Sequence, residues 1–349
     1  MTEQPVYKIL RCGSNGSFQL GLGDDEDRNT LCEVETDFPH TRPVTFACGG
    51  NHTLILFEDG SVVAAGSNEY SQCGFKGPEV VEKFTKVPGK WKFVAAGWEY
   101  SVFVSEDDTV YTCGYGPKGE LGLGKNFILA EELFDVRFPV KSRVLDVKSS
   151  INHVIVVTEE GTYGWGACRK GQLGEVTKVS EKGKPVPVYW EPERLQFSGS
   201  SAIMAHDRTV VFDGKKIDIL GKNPETISAE GATNVKAMWS SVHWSVPKEN
   251  GINIFSQGNN SHGQLYKFND EVTPIDFTVG SEHGLVLLKD GRVLAWGWGE
   301  HGNCGPPAEA KDETALVTYD YLNEIYDGKN EVVKLAAGCA TTWVVVKVK

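Results

Sequence analysis

A ten-residue pattern written six times is the feature that most constrains what this chain can fold into. In one copy it reads Ala65-Gly-Ser-Asn-Glu-Tyr-Ser-Gln-Cys-Gly74, and in another Trp296-Gly-Trp-Gly-Glu-His-Gly-Asn-Cys-Gly305; the others begin at Cys12, Cys113, Trp165 and Gln257. A second element precedes each copy: an apolar run, a Gly or Ser, two free positions, often a His, then another apolar run ending near Asp-Gly. Its last positions are His52, Tyr100, His153, His243, His283 and Thr341, spaced by 48, 53, 90, 40 and 58 residues. The interval of 90 hides one more unit, for which residues 197–204 are a degraded candidate, making seven.

Length alone suggests two or more domains, but a repeat of roughly 50 residues overrides that expectation and reads as the blades of a propeller. Each unit offers short apolar runs bounded by Gly, Asn and Asp, such as 44–48, 53–57 and 61–65, with Glu58-Asp59-Gly60 and Lys289-Asp290-Gly291 as hairpin signals. Glycine is abundant, 39 of 349, because tight strand connections need backbone conformations that a Cβ forbids. The only helical expectation is a short one around 320–326. The fold class is therefore all-β, one seven-bladed β-propeller over 1–349. Its expected blades are 44–75, 93–124, 144–175, 195–223, 235–266, 275–306, and 333–349 joined with 6–23. The last unit lacks a decapeptide while the chain opens on a strand leading into one, so the N- and C-terminal segments complete one blade together and leave no open sheet edge.

Net charge is −12, from 35 basic and 47 acidic residues, so direct nucleic-acid binding is not expected and a basic partner is favoured. The run Asp24-Asp25-Glu26-Asp27 is either a solvated loop or part of such a contact. No stretch is apolar enough to span a membrane and no basic segment followed by an apolar core opens the chain, so neither secretion nor membrane insertion is expected. Cys73 and Cys304 fill a slot held elsewhere by Leu, and Cys12 and Cys113 one held by Ala65 and Trp165. With no Cys-x-x-Cys pair, the eight cysteines read as reduced, mostly buried thiols of a cytosolic or nuclear protein, and no metal or cofactor is expected in this chain. His52, His153, His243 and His283 recur at one repeat position, which separates them around a ring and favours a turn-stabilising role over chemistry. The Gly-rich decapeptides lack the Gly-Lys-Ser/Thr ending of a phosphate loop.

The functional signal is what remains after the frame is subtracted. Connections in an antiparallel blade alternate between the two faces of the disc, so the first turn and the decapeptide share one face. Most of their free positions are small or weakly polar. Trp98, Glu99, Tyr115, Glu282, Trp298, Glu300 and His301 are not. A loop that carries Trp where its sisters carry Ser or Ala offers about 150–250 Å² of aromatic surface, and aromatic anchors ringed by charge suit a protein partner. The alternative is that the Trp side chains fold back and plug the channel. Trp296 shares its slot with Trp165 and reads as blade packing.

The Gly-x-x-His turns followed by Asp-Gly and by Gly-x-Asn-x-x-Gly-Gln-Leu-Gly resemble the repeats of the regulator of chromosome condensation family, seven-bladed propellers, over nearly the whole chain. Four longer motifs resemble one branch of that family: Met238-Trp-Ser-Ser-Val-His243, Gly280-Ser-Glu-His-Gly284, 296–306 and Cys339-Ala-Thr-Thr-Trp343. The resemblance implies a non-catalytic, monomeric chain that forms a heterodimer with a small CSL-type metalloprotein, the partner holding zinc or iron and carrying electrons for diphthamide synthesis on elongation factor two. It also implies a role in Elongator-dependent modification of wobble uridines in tRNA, with the Elongator complex a direct or indirect partner. It adds Trp239, His243, His283 and Asn303 to the expected docking residues. Two alternatives stay open. Guanine-nucleotide exchange, the founding member's activity, needs a wedge-like insertion, and the longest one, 306–331, is expected on the face opposite Trp298. A propeller lyase or hydrolase needs convergent titratable groups, for which Glu282, Glu300 and His301 are the candidates.

Overall fold

The computed structural model describes residues 5–33, 41–197, 202–307 and 317–348. Seven antiparallel sheets form the blades of a β-propeller, four-stranded except for the fifth, which has three strands among the described residues. The inner strands are Pro43–Cys48, Trp91–Ala96, Val144–Ser149, Ala202–Ala205, Asn234–Ala237, Pro274–Val279 and Glu331–Ala337. Each touches the next around a complete ring, and Glu331–Ala337 returns to Pro43–Cys48. The seventh blade is the joint one: Val6–Gly13 pairs with Thr341–Val348 from Val6↔Val348 to Gly13↔Thr341, and Arg28–Glu33 forms its outer edge.

Most blades run past their expected ends, because a strand after five of the six decapeptides adds the outer edge, as Val80–Val87 does in blade 1. The helix expected around 320–326 is instead part of the strand Thr318–Asp327, the outer edge of blade 6. Pairing with Arg292–Trp298 decides this, since a strand edge left open has no other partner for its backbone, and Asn323 Nδ2 adds a bond to the carbonyl of Cys304 at 2.7 Å. In the degenerate fourth unit the inner strand lies within the candidate segment, but the turn comes later, at His206 and Asp207. Residues 198–201 of that candidate lie outside the described residues.

The repeated histidines join blades rather than stabilising a turn alone. His52 Nε2 lies 2.8 Å from Ser101 Oγ of the next blade, His153 Nε2 3.0 Å from Thr209 Oγ1, and His283 Nε2 2.9 Å from Thr342 Oγ1. Tyr100 occupies the same slot and reaches forward too, donating to the carbonyl of Ser150 at 2.8 Å. His243 differs: its two ring nitrogens meet Ser241 and Ser256 of its own blade. All four imidazoles are buried, and desolvation pushes them down to about 4, 3, 3 and 4 in chain order, so all are held neutral and three of them link neighbouring blades. The two slot-sharing tryptophans also bridge blades, Trp165 Nε1 donating to the carbonyl of Glu120 and Trp296 Nε1 to that of Gln264. Cys12, Cys73, Cys113, Cys168 and Cys304 are buried among these contacts, and all eight cysteines are free thiols in the structure.

The decapeptide owes its residues to a hydrogen-bond frame. In blade 1 the Asn68 carbonyl oxygen accepts from the Cys73 amide (3.0 Å), the Gln72 carbonyl oxygen from the Tyr70 amide (2.9 Å), and Gln72 Nε2 donates to Ser67 Oγ (3.1 Å). Asn15 and Gln19, and Asn260 and Gln264, make the corresponding bonds to the backbone of their own loops. A loop that turns tightly leaves amides without ladder partners, and these two side chains satisfy them. The glycine at the second position is fixed by close approach: a Cβ on Gly66, at φ 110°, would stand 2.4 Å from the carbonyl oxygen of Asn51.

Candidate functional site

First turns and decapeptides do share one face. The third residue of the decapeptide donates its amide to a first-turn carbonyl in blade after blade: Ser67 to Asn51, Tyr115 to Glu99, Ala167 to Asn152, Asn259 to Ser240, Trp298 to Glu282 and Ser14 to Ala340. Two concavities open there. An axial well of about 200 Å³ is lined by residues from all seven blades, mostly small ones such as Gly49, Ala96, Ser149 and Gly280, with Trp98 and Trp239 on its rim. The two indoles lie 6.1 Å apart, and Trp98 leans over Gly50, where a Cβ would stand 2.8 Å from its ring. Trp98 is still 37% exposed, so it covers part of the well and presents the rest of its surface to solvent.

Beside the well a smaller cleft of about 140 Å³ lies between blades 5, 6 and 7. Trp239, Glu282, Trp298, Glu300, His301 and Asn303 line it, with Ser281, Cys339 and Ala340. Trp298 is held by stacking on His262, ring centres 4.5 Å apart, and Trp239 by the edge of His206 at 5.6 Å. Glu282 Oε2 accepts from Ser240 Oγ (2.7 Å) and Gln264 Nε2 (3.2 Å); burial pushes its carboxyl up and those hydrogen bonds oppose the rise. Glu300 and His301 are exposed.

Blade 6 alone among the six decapeptides carries Gly299, Asn303 and Cys304 at the Asn, Gln and Leu positions together. Asn303 is one methylene shorter than Gln, and its Nδ2 donates to the carbonyl of Trp298 at 2.9 Å instead of closing the usual frame. Its side-chain oxygen, Oδ1, is buried with no hydrogen-bond partner among the described residues, and so is Trp298 Nε1. A buried polar atom left unpaired costs about 1–3 kcal/mol, so two of them lining one cleft mark a place where a ligand has something to satisfy.

Three expectations need correction. His243 and His283 are fully buried and do not reach the surface of this face; their repeat position lies in the first residues of the second strand of a blade, beneath the turn. The insertion 306–331 does not leave on the opposite face. The decapeptide is itself the third connection, so the chain must start the fourth strand from the same side: Trp298 pairs with Thr318, and the Gly299 amide donates to the carbonyl of Val317 at 2.8 Å. Residues 308–316 of that insertion lie outside the described residues. Glu282, Glu300 and His301 line one cleft, and among the described residues the hydrogen bond of His301 runs outward to the acidic loop, its Nδ1 2.8 Å from Asp27 Oδ2, rather than to Glu282 or Glu300. That contact seats the acidic loop beside the cleft, where Asp27 Oδ1 also accepts from the Asn15 amide at 2.7 Å.

Glu99 and Tyr115 stand across the face from the cleft. Burial and then the charge of Glu69 raise the Glu99 carboxyl, and Tyr115 stacks on Tyr70 with ring centres 5.0 Å apart. Next to them Phe127, Ile128 and Leu129 are exposed, Leu129 pairing with Tyr115. The sequence reading passed over Tyr70, His206, His262 and this apolar stretch. His262 was within reach of it, since it occupies the decapeptide position of His301. His206 was hidden by the misplaced fourth turn.

The Regulator of chromosome condensation (RCC1) repeat matches residues 8–56, 44–72 and 275–303. An RCC1 repeat-containing protein of Schizosaccharomyces pombe is 32% identical, the alignment covering 97% of this chain and 99% of that one. The secretion-regulating guanine nucleotide exchange factor of Mus musculus is 24% identical over 88% of this chain and 78% of its own. Among solved structures, Prp20p of Saccharomyces cerevisiae, described with its binding to Gsp1p and histones, superposes with a TM-score of 0.81 over 100% of this chain and 93% of that one. At 16% identity this is a likeness of fold.

Proposed function

The chain belongs to the regulator of chromosome condensation (RCC1) repeat family, and from that premise we propose that it is a non-catalytic protein-binding propeller whose first-turn face docks a small CSL-type metal-binding protein. In this reading the partner carries the zinc or iron and the electrons, and the heterodimer supports diphthamide synthesis on elongation factor two and Elongator-dependent wobble-uridine modification in the cytoplasm and nucleus. The alpha-tubulin suppressor, also called a killer-toxin-insensitivity protein, is the family member whose motifs the chain resembles. The observation that carries the docking reading is the blade 6 cleft, where Trp298 and Glu300 of the decapeptide that departs furthest from the common frame meet Trp239 and Glu282, with two unsatisfied buried polar atoms, Asn303 Oδ1 and Trp298 Nε1, on its lining residues. The proposed docking residues are Trp98, Glu99, Tyr115, Trp239, Glu282, Trp298, Glu300, His301 and Asn303.

Calorimetry of the purified chain with a purified CSL-type protein tests this. Trp298→Ala and Glu300→Ala are expected to weaken binding together by at least roughly tenfold, as loss of a central aromatic anchor does. Unchanged affinity in both variants sinks the proposed face.

A second reading has a specific observation behind it. The insertion after the blade 6 decapeptide returns to the docking face, and a relative is named as a guanine nucleotide exchange factor. Nucleotide release from a panel of small GTPases checks it: acceleration lost on deleting 308–316 would put exchange in place of docking a metalloprotein.

A further inference from the structure

We propose that the cleft between Trp239 and Trp298 is a receptor for one basic side chain, the ammonium of a lysine or the guanidinium of an arginine, inserted by a protein partner. The inference rests on the docking reading and names what that face recognises.

Charge is the first argument. Glu282 and Glu300 both line the cleft, and among the described residues no lysine or arginine lines it with them. Two other carboxylates of this face have their own cations close by: Asp207 meets Lys170 Nζ at 2.5 Å and Asp24 meets Arg28 Nη2 at 2.6 Å. Cations are thus available on this surface but, among the described residues, absent from this spot, in a chain that carries a net charge of −12. A cation from outside completes the cleft, whereas an anionic ligand would add repulsion to two carboxylates.

The walls supply the second argument. Two indoles facing one small volume give a cation the negative faces of two π-systems, the arrangement by which aromatic cages hold ammonium groups. Asn303 contributes the third: the residue lines the cleft, is 1% exposed, and carries a side-chain Oδ1 that is unpaired among the described residues, an acceptor that a small shift of the side chain would offer to a donor in the cleft. Lysine and arginine carry donors and no acceptor, so their head groups match carboxylates and an amide oxygen without leaving a group unsatisfied. The volume of about 140 Å³ admits one side chain and excludes a helix or strand. Burial of Glu282, which raises its carboxyl, also means that a cation beside it acts in a medium where charges are felt strongly.

The test uses the full chain with indole nitrogens labelled. Nine tryptophan indole resonances are expected, and those of Trp239 and Trp298 are assigned with Trp239→Phe and Trp298→Phe. Nα-acetyl-lysine amide, Nα-acetyl-arginine amide, the neutral isostere Nα-acetyl-norleucine amide and the anionic Nα-acetyl-glutamate amide are titrated in turn. The basic probes should shift those two resonances and leave Trp165 and Trp343 in place. Glu282→Gln and Glu300→Gln should each weaken the basic probes by roughly 5–30-fold, the range of a desolvated cation–π or paired-charge contact, with an unchanged thermal midpoint showing that the chain still folds. Binding of norleucine amide or glutamate amide as strong as that of lysine amide overturns the proposal, and so does a lysine titration that leaves both resonances unmoved.

A parallel titration with the CSL-type protein separates this inference from the reading beneath it. Lysine binding lost in Glu300→Gln together with unchanged metalloprotein affinity keeps the receptor and removes that partner. Metalloprotein affinity lost in Trp298→Ala, with no response to any basic probe, keeps the partner and removes the receptor.

Discussion

The decapeptides of blades 1 and 6 follow the same path, from the last residues of a third strand through a tight turn to a buried Cys, and they spend their polar groups in opposite ways. In blade 1 every named side chain is turned inward on its own loop: Asn68 holds Cys73, and Gln72 holds Tyr70 and Ser67. In blade 6 Gly299 has no side chain to give, Asn303 falls short, and Trp298 stands where Ser67 receives its bond. One loop is frame alone, and the other gives up part of the frame and gains a cleft. The lesson is that departures from a repeat are informative when they leave a structural need unmet, as the Asn303 oxygen does, and less so when another residue of the same kind fills the slot, as Cys73 does for Leu.

The largest effect should be one in which the two blades do not differ. His52 and His283 are both held neutral by burial, at about 4, and His153 and His243 at about 3. Their folded values lie below the unfolded 6.5, so the stability they contribute is complete above that value and is lost as pH falls through the window down to 3–4. Between pH 7 and pH 5 each costs about 2 kcal/mol. Glu120 works against them: burial lifts it to about 7, so it contributes about 2 kcal/mol in the other direction over the same range. Glu99 and Glu282, also raised, oppose the histidines in the same sense. Urea denaturation should therefore show a net loss of several kcal/mol, at most about 6, between pH 7 and pH 5. His52→Gln and His283→Gln should each flatten the profile equally. A flat wild-type profile, or a response confined to one of the two variants, breaks the idea that both blades share one frame.

Glycine at the second decapeptide position sharpens the comparison. A Cβ on Gly66 meets the carbonyl oxygen of Asn51 at 2.4 Å and one on Gly297 meets that of Glu282 at 2.7 Å, both at positive φ. Alanine at either should cost about 3 kcal/mol in urea denaturation, from backbone strain and overpacking. The two variants should then part. Gly66→Ala, below its unfolding temperature, keeps full affinity for the partner, while Gly297→Ala displaces Trp298 and loses affinity. Equal loss in both would mean that the docking surface is not centred on blade 6.

How much of this was legible in the sequence depended on whether a residue acts through its repeat position or through its neighbours. The seven blades, the joint closure of Val6–Gly13 with Thr341–Val348, and the shared face of turns and decapeptides follow from spacing and alternation, which are local properties. The buried Trp165 and Trp296 were legible too, because they share a slot. The inter-blade reach of His52 and Tyr100 was not, since their partners Ser101 and Ser150 lie one blade on, about 50 residues away, and nothing in one repeat announces them. The strand Thr318–Asp327 was misread because only pairing with blade 6 extends it. At the site, Trp298 and Glu300 could be picked out as unlike their sisters, but the stacking of His262 on Trp298 joins two blades and emerges only when they are placed side by side.

Side-chain truncation on the face comes next in size. Trp298→Ala should cost about 2 kcal/mol of partner affinity by calorimetry. Tyr115→Ala, whose ring stacks on Tyr70 at the far side of the face, should cost less than half as much, and a larger loss at Tyr115 would move the centre of the interface to blades 1 and 2.

The smallest expected effect is the most direct test of what blade 6 gave up. Asn303→Gln restores the residue that Gln72, Gln172 and Gln264 supply in sister loops, where the side-chain carbonyl accepts an amide two residues upstream. In blade 6 that amide belongs to His301. The longer side chain places the oxygen where a backbone donor awaits it, so one buried unsatisfied acceptor disappears and stability should rise by about 1 kcal/mol in urea denaturation. The same move withdraws that acceptor from the cleft, so partner affinity should fall while the fold strengthens. Stability and affinity moving in opposite directions is the signature of a site maintained at the expense of its own scaffold. If Asn303→Gln destabilises the chain, the Asn303 bond to the Trp298 carbonyl is the dominant structural contact of the loop, and the difference between blades 1 and 6 is one of packing.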